Sequence, residues 1–157
     1  MIWYKDDELQ IIFDDTPYVS IRYALPSMSD IEIKSIKKYP FINKRDLGVE
    51  IRYKNEIFNF IIPKGYCFDG ASIPWLFRRI IGAPTDNSFL IAALIHDVIC
   101  ENHKYVKNNR KLSTKIFDAL LTTSRVGRFK RFLMTSSVNM FQKLFCDWGL
   151  EYDNGQT

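Results

Sequence analysis

Short stretches in which apolar and polar residues alternate fill the first half of the chain. Four of them are rich in β-branched and aromatic residues and are bounded by Pro, Asn, Asp or Gly, which is typical of half-buried strands. They are Leu9–Phe13, Tyr18–Tyr23, Gly48–Tyr53 and Glu56–Ile62. Lys54-Asn55, between the last two, predicts a hairpin turn. The segment Ser27–Lys38 fits either a helical turn or a further strand, and both interpretations stay open.

The apolar positions change to helical spacing in the second half. One helix is predicted from Asn87 to about Glu101, after the capping residues Pro84-Thr85-Asp86. A second runs from about Leu112 to Thr123, and a third from Arg128 to about Cys146, with a break at Gly127. Their buried stripes are expected to contain Phe89, Leu90, Ala93, Leu94 and Val98, then Ile116, Phe117, Leu120 and Leu121, and then some of Phe129, Phe132, Leu133, Val138, Phe141, Leu144 and Phe145.

The resulting fold class is α+β, with N-terminal antiparallel strands and hairpins packed on three C-terminal helices. A chain of 157 residues that is 46% hydrophobic and 25% charged is long enough to close one core, so we expect a single domain. Residues 1–64 are mainly β, 65–86 form a loop that carries the main motif, 87–147 are helical and 148–157 are a polar tail.

No window reaches the roughly 18 consecutive apolar residues of a membrane span, and the first residues lack the pattern of an export signal. These observations predict a cytoplasmic protein. The three cysteines, Cys67, Cys100 and Cys146, are odd in number and widely spaced, which favours reduced thiols.

The formal net charge of +4 is unevenly distributed. Between Lys104 and Lys143 a run of basic residues is opposed only by Asp118: Lys107, Arg110, Lys111, Lys115, Arg125, Arg128, Lys130 and Arg131. This run predicts a basic helical face that attracts phosphate-bearing partners or an acidic surface, or simply a solvated exterior. Nucleic acid is the weaker partner hypothesis, because the phenylalanines interleaved with these cations are better used in the core. Homo-oligomers remain open.

Polar residues interrupt the hydrophobic pattern in two places. Asp69 and Ser72 lie in a turn within Gly65–Trp75, and His96-Asp97 lies inside an apolar helical run. Buried polar groups need partners, so the two segments are expected to face each other. Turn formation and helix capping alone also account for Asp69 and Ser72. They do not account for Asp97, which must be paired, hydrogen-bonded or metal-bound.

The run Pro63–Pro74 with its Asp-Gly-Ala-Ser-Ile-Pro turn, then His96-Asp97, then the helix with Ile116-Phe117, resembles an uncharacterised domain family frequent in phage and prophage genomes. The resemblance covers roughly Ile51 to Leu121. It implies a phage or prophage origin and a bacterial host cytoplasm, but no settled activity. The chain departs from the family pattern at Thr114, where a carboxylate is usual, and at Cys100, where an aromatic residue is usual.

A weaker similarity is to phospholipases A2. It implies His96 as the base, Asp97 as a calcium ligand together with carbonyls of Gly65 to Gly70, and Thr114 at the position that orients the histidine. A hydroxyl cannot replace an orienting carboxylate, although Asp118, one helical turn on, offers a substitute. The resemblance therefore implies either a metal-dependent hydrolase of esters or phosphoesters, with His96, Asp97 and Asp69 catalytic and the two aspartates as metal ligands, or a relative that kept the pocket and lost the reaction.

A zinc site is a further alternative, since His96, Cys100 and His103 share one helical face and Cys67 would complete the set. The simpler interpretation of His96 is a core histidine that bonds a loop carbonyl or Asp69. We expect a non-catalytic phage accessory protein that sequesters a small anionic, nucleotide-like ligand, in the setting of bacterial defence; a virion or assembly component is the remaining alternative. The expected ligand-binding residues are Asp69, Ser72, Trp75, His96, Lys107, Arg110 and Lys111.

Overall fold

The computed structural model describes residues 1–70, 87–102 and 109–145. The chain divides into two compact units, Met1–Gly70 and Ala71–Thr157. The first contains antiparallel sheet and one helix, and the described part of the second is helical. The α+β class is thereby confirmed. The residues Ser72, Trp75, Pro84-Thr85-Asp86, His103, Lys107 and Cys146, which the sequence singled out, lie outside the described residues.

A four-stranded antiparallel sheet, in the order β1-β2-β5-β6, forms the larger part of the first unit. Its strands are β1 (Ile2–Lys5), β2 (Leu9–Phe13), β5 (Leu47–Tyr53) and β6 (Glu56–Ile62). On β2 and β5 alternate residues are buried, and the pairing places Ile11 opposite Ile51 and Phe13 opposite Val49. The period of two in the sequence thus becomes one apolar face. The predicted hairpin between β5 and β6 is confirmed, with Lys54 in the left-handed region at φ 54°.

A three-stranded antiparallel sheet, in the order β3-β4-β7, completes the strands of this unit. It consists of β3 (Val19–Ile21), β4 (Phe41–Asn43) and β7 (Cys67–Phe68). The predicted strand Tyr18–Tyr23 was too long, since only its central residues pair with β4. Strands β1, β4 and β7 were not predicted, because two to four residues are too few to show a period.

The segment that the sequence left open forms a helix, α1 (Asp30–Lys38). Ser29 caps it: its hydroxyl accepts from the backbone N–H of Glu32, and the Glu32 carboxylate accepts from the backbone N–H of Ser29. This reciprocal capping box satisfies two donors at the helix start and decides the segment in favour of helix.

The second unit contains α2 (Asn87–Glu101), α3 (Asn109–Thr123) and α4 (Arg128–Phe145). The stripes predicted for α2 and α3 are buried as expected, from Phe89 to Val98 and from Ile116 to Leu121. Helix α3 begins earlier than the predicted Leu112. On α4 the inward side is formed by Met134, Ser137, Val138 and Gln142. Phe129, Phe132 and Leu144 are instead exposed, so the expectation that these phenylalanines serve the core was wrong.

Candidate functional site

Asn43, at the end of β4, organises the turn that leads into the Asp-Gly motif. Its buried side-chain amide donates to the carbonyls of Arg45 (2.6 Å), Pro63 (3.1 Å) and Ile62 (3.3 Å). Its backbone N–H donates to Tyr66 O and its carbonyl accepts from Gly65 N–H, both at 2.8 Å. One side chain therefore ties β4 to the end of β6 and to the following turn.

Gly70 closes this part of the motif against an aromatic ring. Its φ is +88°, and a Cβ at this position would lie 2.5 Å from Cε2 of Phe41. Both the backbone conformation and the contact require glycine. Gly65 also has a positive φ, +90°, but a Cβ there would meet no atom within 4 Å. The glycine of Asp-Gly thus has a packing role in the first unit that is separate from any chemistry of Asp69, which is exposed.

His96 lies on α2, with only 4% of its surface exposed. Its Nδ1 is 3.4 Å from Oδ1 of Asp97, and its Nε2 contacts the side-chain nitrogen of Gln142 on α4. Because a carboxylate only accepts, the Asp97 contact requires the proton on Nδ1, and Nε2 is then the acceptor for an amide N–H of Gln142. Both ring nitrogens of His96 thus face protein groups.

Further contacts surround the pair of His96 and Gln142. The Gln142 amide nitrogen also lies 3.5 Å from Oγ of Ser113 on α3. The imidazole meets the ring of Phe117 at an angle of 66°, with centroids 5.5 Å apart, and Sγ of Cys100 is 3.5 Å from Nε2. We call His96, Ser113, Phe117 and Gln142 the histidine cluster. It joins the three described helices of the second unit through a buried polar network, in which Oε1 of Gln142 has no hydrogen-bond partner in the described part of the chain.

Thr114 and Asp118, the residues considered for orienting His96, both lie along a different side of α3. Thr114 Oγ1 donates to the carbonyl of Arg110 (3.0 Å), and Asp118 pairs with Nε of Arg131 (3.0 Å) and accepts from Thr135 (3.2 Å). The residues of α3 that meet the histidine cluster are Ser113 and Phe117. The one-residue offset is decisive, because adjacent helical positions differ by about 100° in direction.

These polar residues border a groove between α3 and α4 that has a volume of about 330 Å³. We call it the arginine groove. It is lined by Thr114, Asp118, Arg128, Arg131, Phe132, Thr135, Ser136 and Asn139. Arg110, one of the predicted ligand-binding residues, adjoins it, since its guanidinium donates to Oδ1 of Asn139 at 2.5 Å.

The predicted site residues are thus distributed over both units. Asp69 and Cys67 belong to the first, and His96, Asp97, Cys100, Arg110 and the exposed Lys111 to the second. Contact between Asp69 and His96, and the calcium and zinc hypotheses that depend on residues of both units, stay predictions. In the described ranges taken by themselves, no group of three His, Cys, Asp or Glu side chains is arranged to hold a metal ion.

Several residues of the cluster and groove were missed from sequence. Ser113 and Gln142 are polar residues inside apolar helical stripes, and that interruption is the signal that could have found them, as it found His96. Arg128 and Arg131 were noticed only as members of a basic run. Their convergence with Thr114, Thr135 and Asn139 depends on how α3 packs against α4.

These observations define an α+β protein that has a His-Asp pair on a helix and the sequence Asp-Gly-Ala-Ser-Ile-Pro after its last described strand. Residues 46–138, more than half of the chain, match the family described as protein of unknown function DUF1353, and the chain belongs to this family. The matched region contains the turn that Asn43 contacts and the Asp-Gly motif. It also contains His96, Ser113 and Phe117 of the histidine cluster, and the lining of the arginine groove up to Ser136.

Two uncharacterised proteins of Sinorhizobium fredii share short segments with the chain. The protein y4jT is 50% identical over 40 residues, which are 26% of this chain and 12% of y4jT. The protein y4iH is 34% identical over 55 residues, which are 35% of this chain and 22% of y4iH. The chain thus spans less than a quarter of the length of these relatives. No solved structure matches it significantly.

Proposed function

We propose that this protein binds a small phosphate-bearing, nucleotide-like anion in the arginine groove. The observation that carries the proposal is the convergence of Arg128 and Arg131 with hydroxyl and amide groups in one groove of about 330 Å³. This volume is at the lower end of the range of small-molecule pockets. Guanidinium groups suit phosphate oxygens because their N–H donors form a planar fork.

The other lining residues complement such a ligand. Thr114, Thr135 and Ser136 carry hydroxyl donors, and Phe132, a residue that is 66% exposed, also lines the groove. An exposed aromatic face next to arginines is suited to stacking a nucleobase or another planar group. The phosphate and the planar part of one nucleotide-like molecule would each find a matching surface.

Charge around the groove favours an anion. The first turn of α4 contains Arg128, Lys130 and Arg131 and no acidic residue. Cations at a helix N-terminus oppose the helix dipole, so this arrangement reduces the stability of the free protein. Asp118 is the acidic member of the lining, and its ion pair with Arg131 holds that guanidinium in place. A bound phosphate would compete with Asp118 for Arg131.

The biological setting that we propose follows from the family resemblance. The chain is a phage- or prophage-encoded accessory protein in the bacterial host cytoplasm, and sequestering a nucleotide signal would counter a bacterial defence system. Both curated relatives come from a bacterium. Association of several copies would be compatible with this role.

A metal-dependent hydrolase is the second candidate, favoured by the 3.4 Å approach of Asp97 to the imidazole of His96. A general base must reach a water or substrate with its second nitrogen. In His96 that nitrogen contacts Gln142 inside the histidine cluster. The hydrolase therefore requires the cluster to open, whereas the arginine groove is already open to a ligand. This difference is why we place binding first.

Isothermal titration calorimetry with ADP-ribose, a cyclic dinucleotide and inorganic phosphate tests the proposal. We expect at least one organic phosphate to bind, and Arg131→Gln or Arg128→Gln to weaken it about 10- to 100-fold, the loss of one charge-assisted contact. Asp118→Asn should tighten binding, because it removes the competing carboxylate. Arg52→Gln is the matched control: Arg52 is also ion-paired, to Glu50 at 2.6 Å, but lies on β5.

If both arginine variants bind as wild type does, the groove is not the binding site. If none of the three probes binds, the proposed function is wrong. Hydrolysis of a probe that requires added Ca²⁺ or Zn²⁺ and is lost in His96→Gln would favour the hydrolase instead. A His96→Gln protein that keeps its fold and its affinity for the probe would support the assignment of the site to the groove.

A further inference from the structure

The side of α4 that faces away from the core carries four exposed apolar side chains. Phe129 is 70% exposed, Phe132 66%, Leu144 65% and Met140 46%. At 100° per residue these positions fall within one third of the helix circumference. We call them the outer stripe of α4. The buried residues Met134, Val138 and Gln142 lie on the opposite side, so the helix has apolar residues on two faces.

All charged residues of α4 are basic. Between Arg128 and Phe145 these are Arg128, Lys130, Arg131 and Lys143, with no Asp or Glu. Lys143 is exposed and falls angularly between Phe132 and Phe129, inside the stripe, and Arg128 lies at its edge. Long basic side chains can extend away from an apolar layer while their stems stay in it. The outer stripe is therefore an apolar surface whose charged neighbours on α4 are all basic; Asp118 of α3, in the adjoining arginine groove, is paired with Arg131.

From this charge pattern we propose that the outer stripe of α4 docks on an anionic lipid bilayer surface. Aromatic and aliphatic side chains that enter the interfacial region, flanked by cations that attract anionic headgroups, are the features of interfacial helices. In the described residues no helix is long and apolar enough to cross a membrane. The bilayer supplies both requirements at once: an apolar phase and a dense negative charge.

Binding to the bilayer is independent of the proposed anion site. Phe129, Met140 and Leu144 do not line the arginine groove. Variants at these positions therefore test the membrane proposal and leave the groove intact. Phe132 and Arg128 belong to both surfaces and are not used as test positions for the membrane proposal.

Vesicle flotation provides the experiment. Wild-type protein should float with vesicles of equimolar phosphatidylcholine and phosphatidylglycerol, and at least tenfold less with phosphatidylcholine alone. The double variant Phe129→Ser/Leu144→Ser should lose at least tenfold in partitioning to the anionic vesicles, and Lys143→Gln should lose more at low salt than at high salt. The matched control is Ile57→Ser/Ile61→Ser on β6, where both residues are also exposed, at 60% and 74%, and partitioning should not change.

Circular dichroism and thermal unfolding would verify that the exposed positions tolerate these changes, and calorimetry with the phosphate probes should give the same affinity for Phe129→Ser/Leu144→Ser as for wild type. Three results would overturn the membrane proposal: no flotation of wild-type protein, an equal loss in the Ile57/Ile61 variant, or equal flotation with neutral vesicles. A dimer in analytical ultracentrifugation that dissociates in Phe129→Ser/Leu144→Ser would also overturn it, because the stripe would then bind a second copy.

Discussion

The side-chain amide of Gln142 on α4 contacts Nε2 of His96 on α2, across 46 positions of sequence. The same amide reaches Ser113 on α3, so one glutamine connects the buried polar groups of three helices. An unpaired polar group in such a place costs free energy, whereas a paired one contributes modestly to stability. The pair therefore favours the arrangement of α2, α3 and α4 in which these polar groups meet.

We predict that Gln142→Leu lowers the free energy of unfolding by about 1–3 kcal/mol, because it removes the amide group that contacts Nε2 of His96 and Oγ of Ser113 in the buried cluster. Urea unfolding followed by circular dichroism measures the change. In a double-mutant cycle, His96→Leu with Gln142→Leu should cost less than the sum of the two single changes. Additive costs would mean that the two side chains contribute to stability separately.

Replacing Gly70 with alanine should destabilise the protein more than the same change at Gly65. Both glycines have positive φ, so both variants carry about 1 kcal/mol of backbone strain. Only at Gly70 does the new methyl group overlap the Phe41 ring, which adds a packing cost of about 1–3 kcal/mol. Thermal unfolding of the two variants side by side measures the difference; equal midpoints would show that Phe41 moves without cost.

Asn43→Asp should be more damaging than Asn43→Leu. The amide nitrogen of Asn43 donates to three carbonyls, and a carboxylate in its place would set an anion against these acceptors. Leucine loses the same bonds without adding charge. We expect about 1–3 kcal/mol for the leucine variant and more for aspartate, from chemical unfolding at pH 7. The reverse order would mean that the turn rearranges to hydrate the carboxylate.

Helix α1 should lose stability in acid through Glu32. Hydrogen bonds from the Ser29 backbone N–H and then from the Ser29 hydroxyl lower the pKa of Glu32 below its ordinary value of 4.5. A carboxyl group with a lowered pKa in the folded state stabilises the fold above its unfolded pKa, and this contribution is lost as pH falls through the folded value. The stability difference between wild type and Glu32→Gln should therefore shrink as the pH is lowered from 6 to 3, measured by urea unfolding. A difference independent of pH would contradict the capping role of the carboxylate.

The elements with a clear period were predictable. In strands β2, β5 and β6 apolar and polar residues alternate with a period of two. In α2 and α3 the apolar residues recur at helical spacing. Each of these elements turns one face inward, so the same period is visible in the sequence and in the fold. Helix α1 was left open, although Ser29 and Glu32 have the spacing of a capping box. Strands β4 and β7 were missed because Phe41 and Ile42 become strand residues through pairing with β3 and with Phe68 and Cys67, and both partners lie far along the chain.

The candidate site was predictable in part. His96 and Asp97 were found because a His-Asp pair in an apolar helix is costly without partners. The partners of His96 were not predicted, because Gln142 and Ser113 belong to other helices. Thr114, which the sequence suggested on α3, is one residue away from Ser113, the residue that belongs to the cluster. Arg110 was predicted to bind a ligand and adjoins the arginine groove, but the groove was not foreseen.

By itself, the sequence determined the longer strands β2, β5 and β6 and the three helices of the second half. It also determined that polar residues in the motif and in α2 require partners, and that the second half carries the positive charge. These properties depend on local period, local capping and composition. The tertiary structure decided which side of α4 packs inward: Met134 and Val138 are buried, and Phe129 and Leu144 are exposed. A helix with apolar residues on two faces does not specify which one packs inward; that depends on the free energy of fitting Gln142 and its neighbours against α2 and α3.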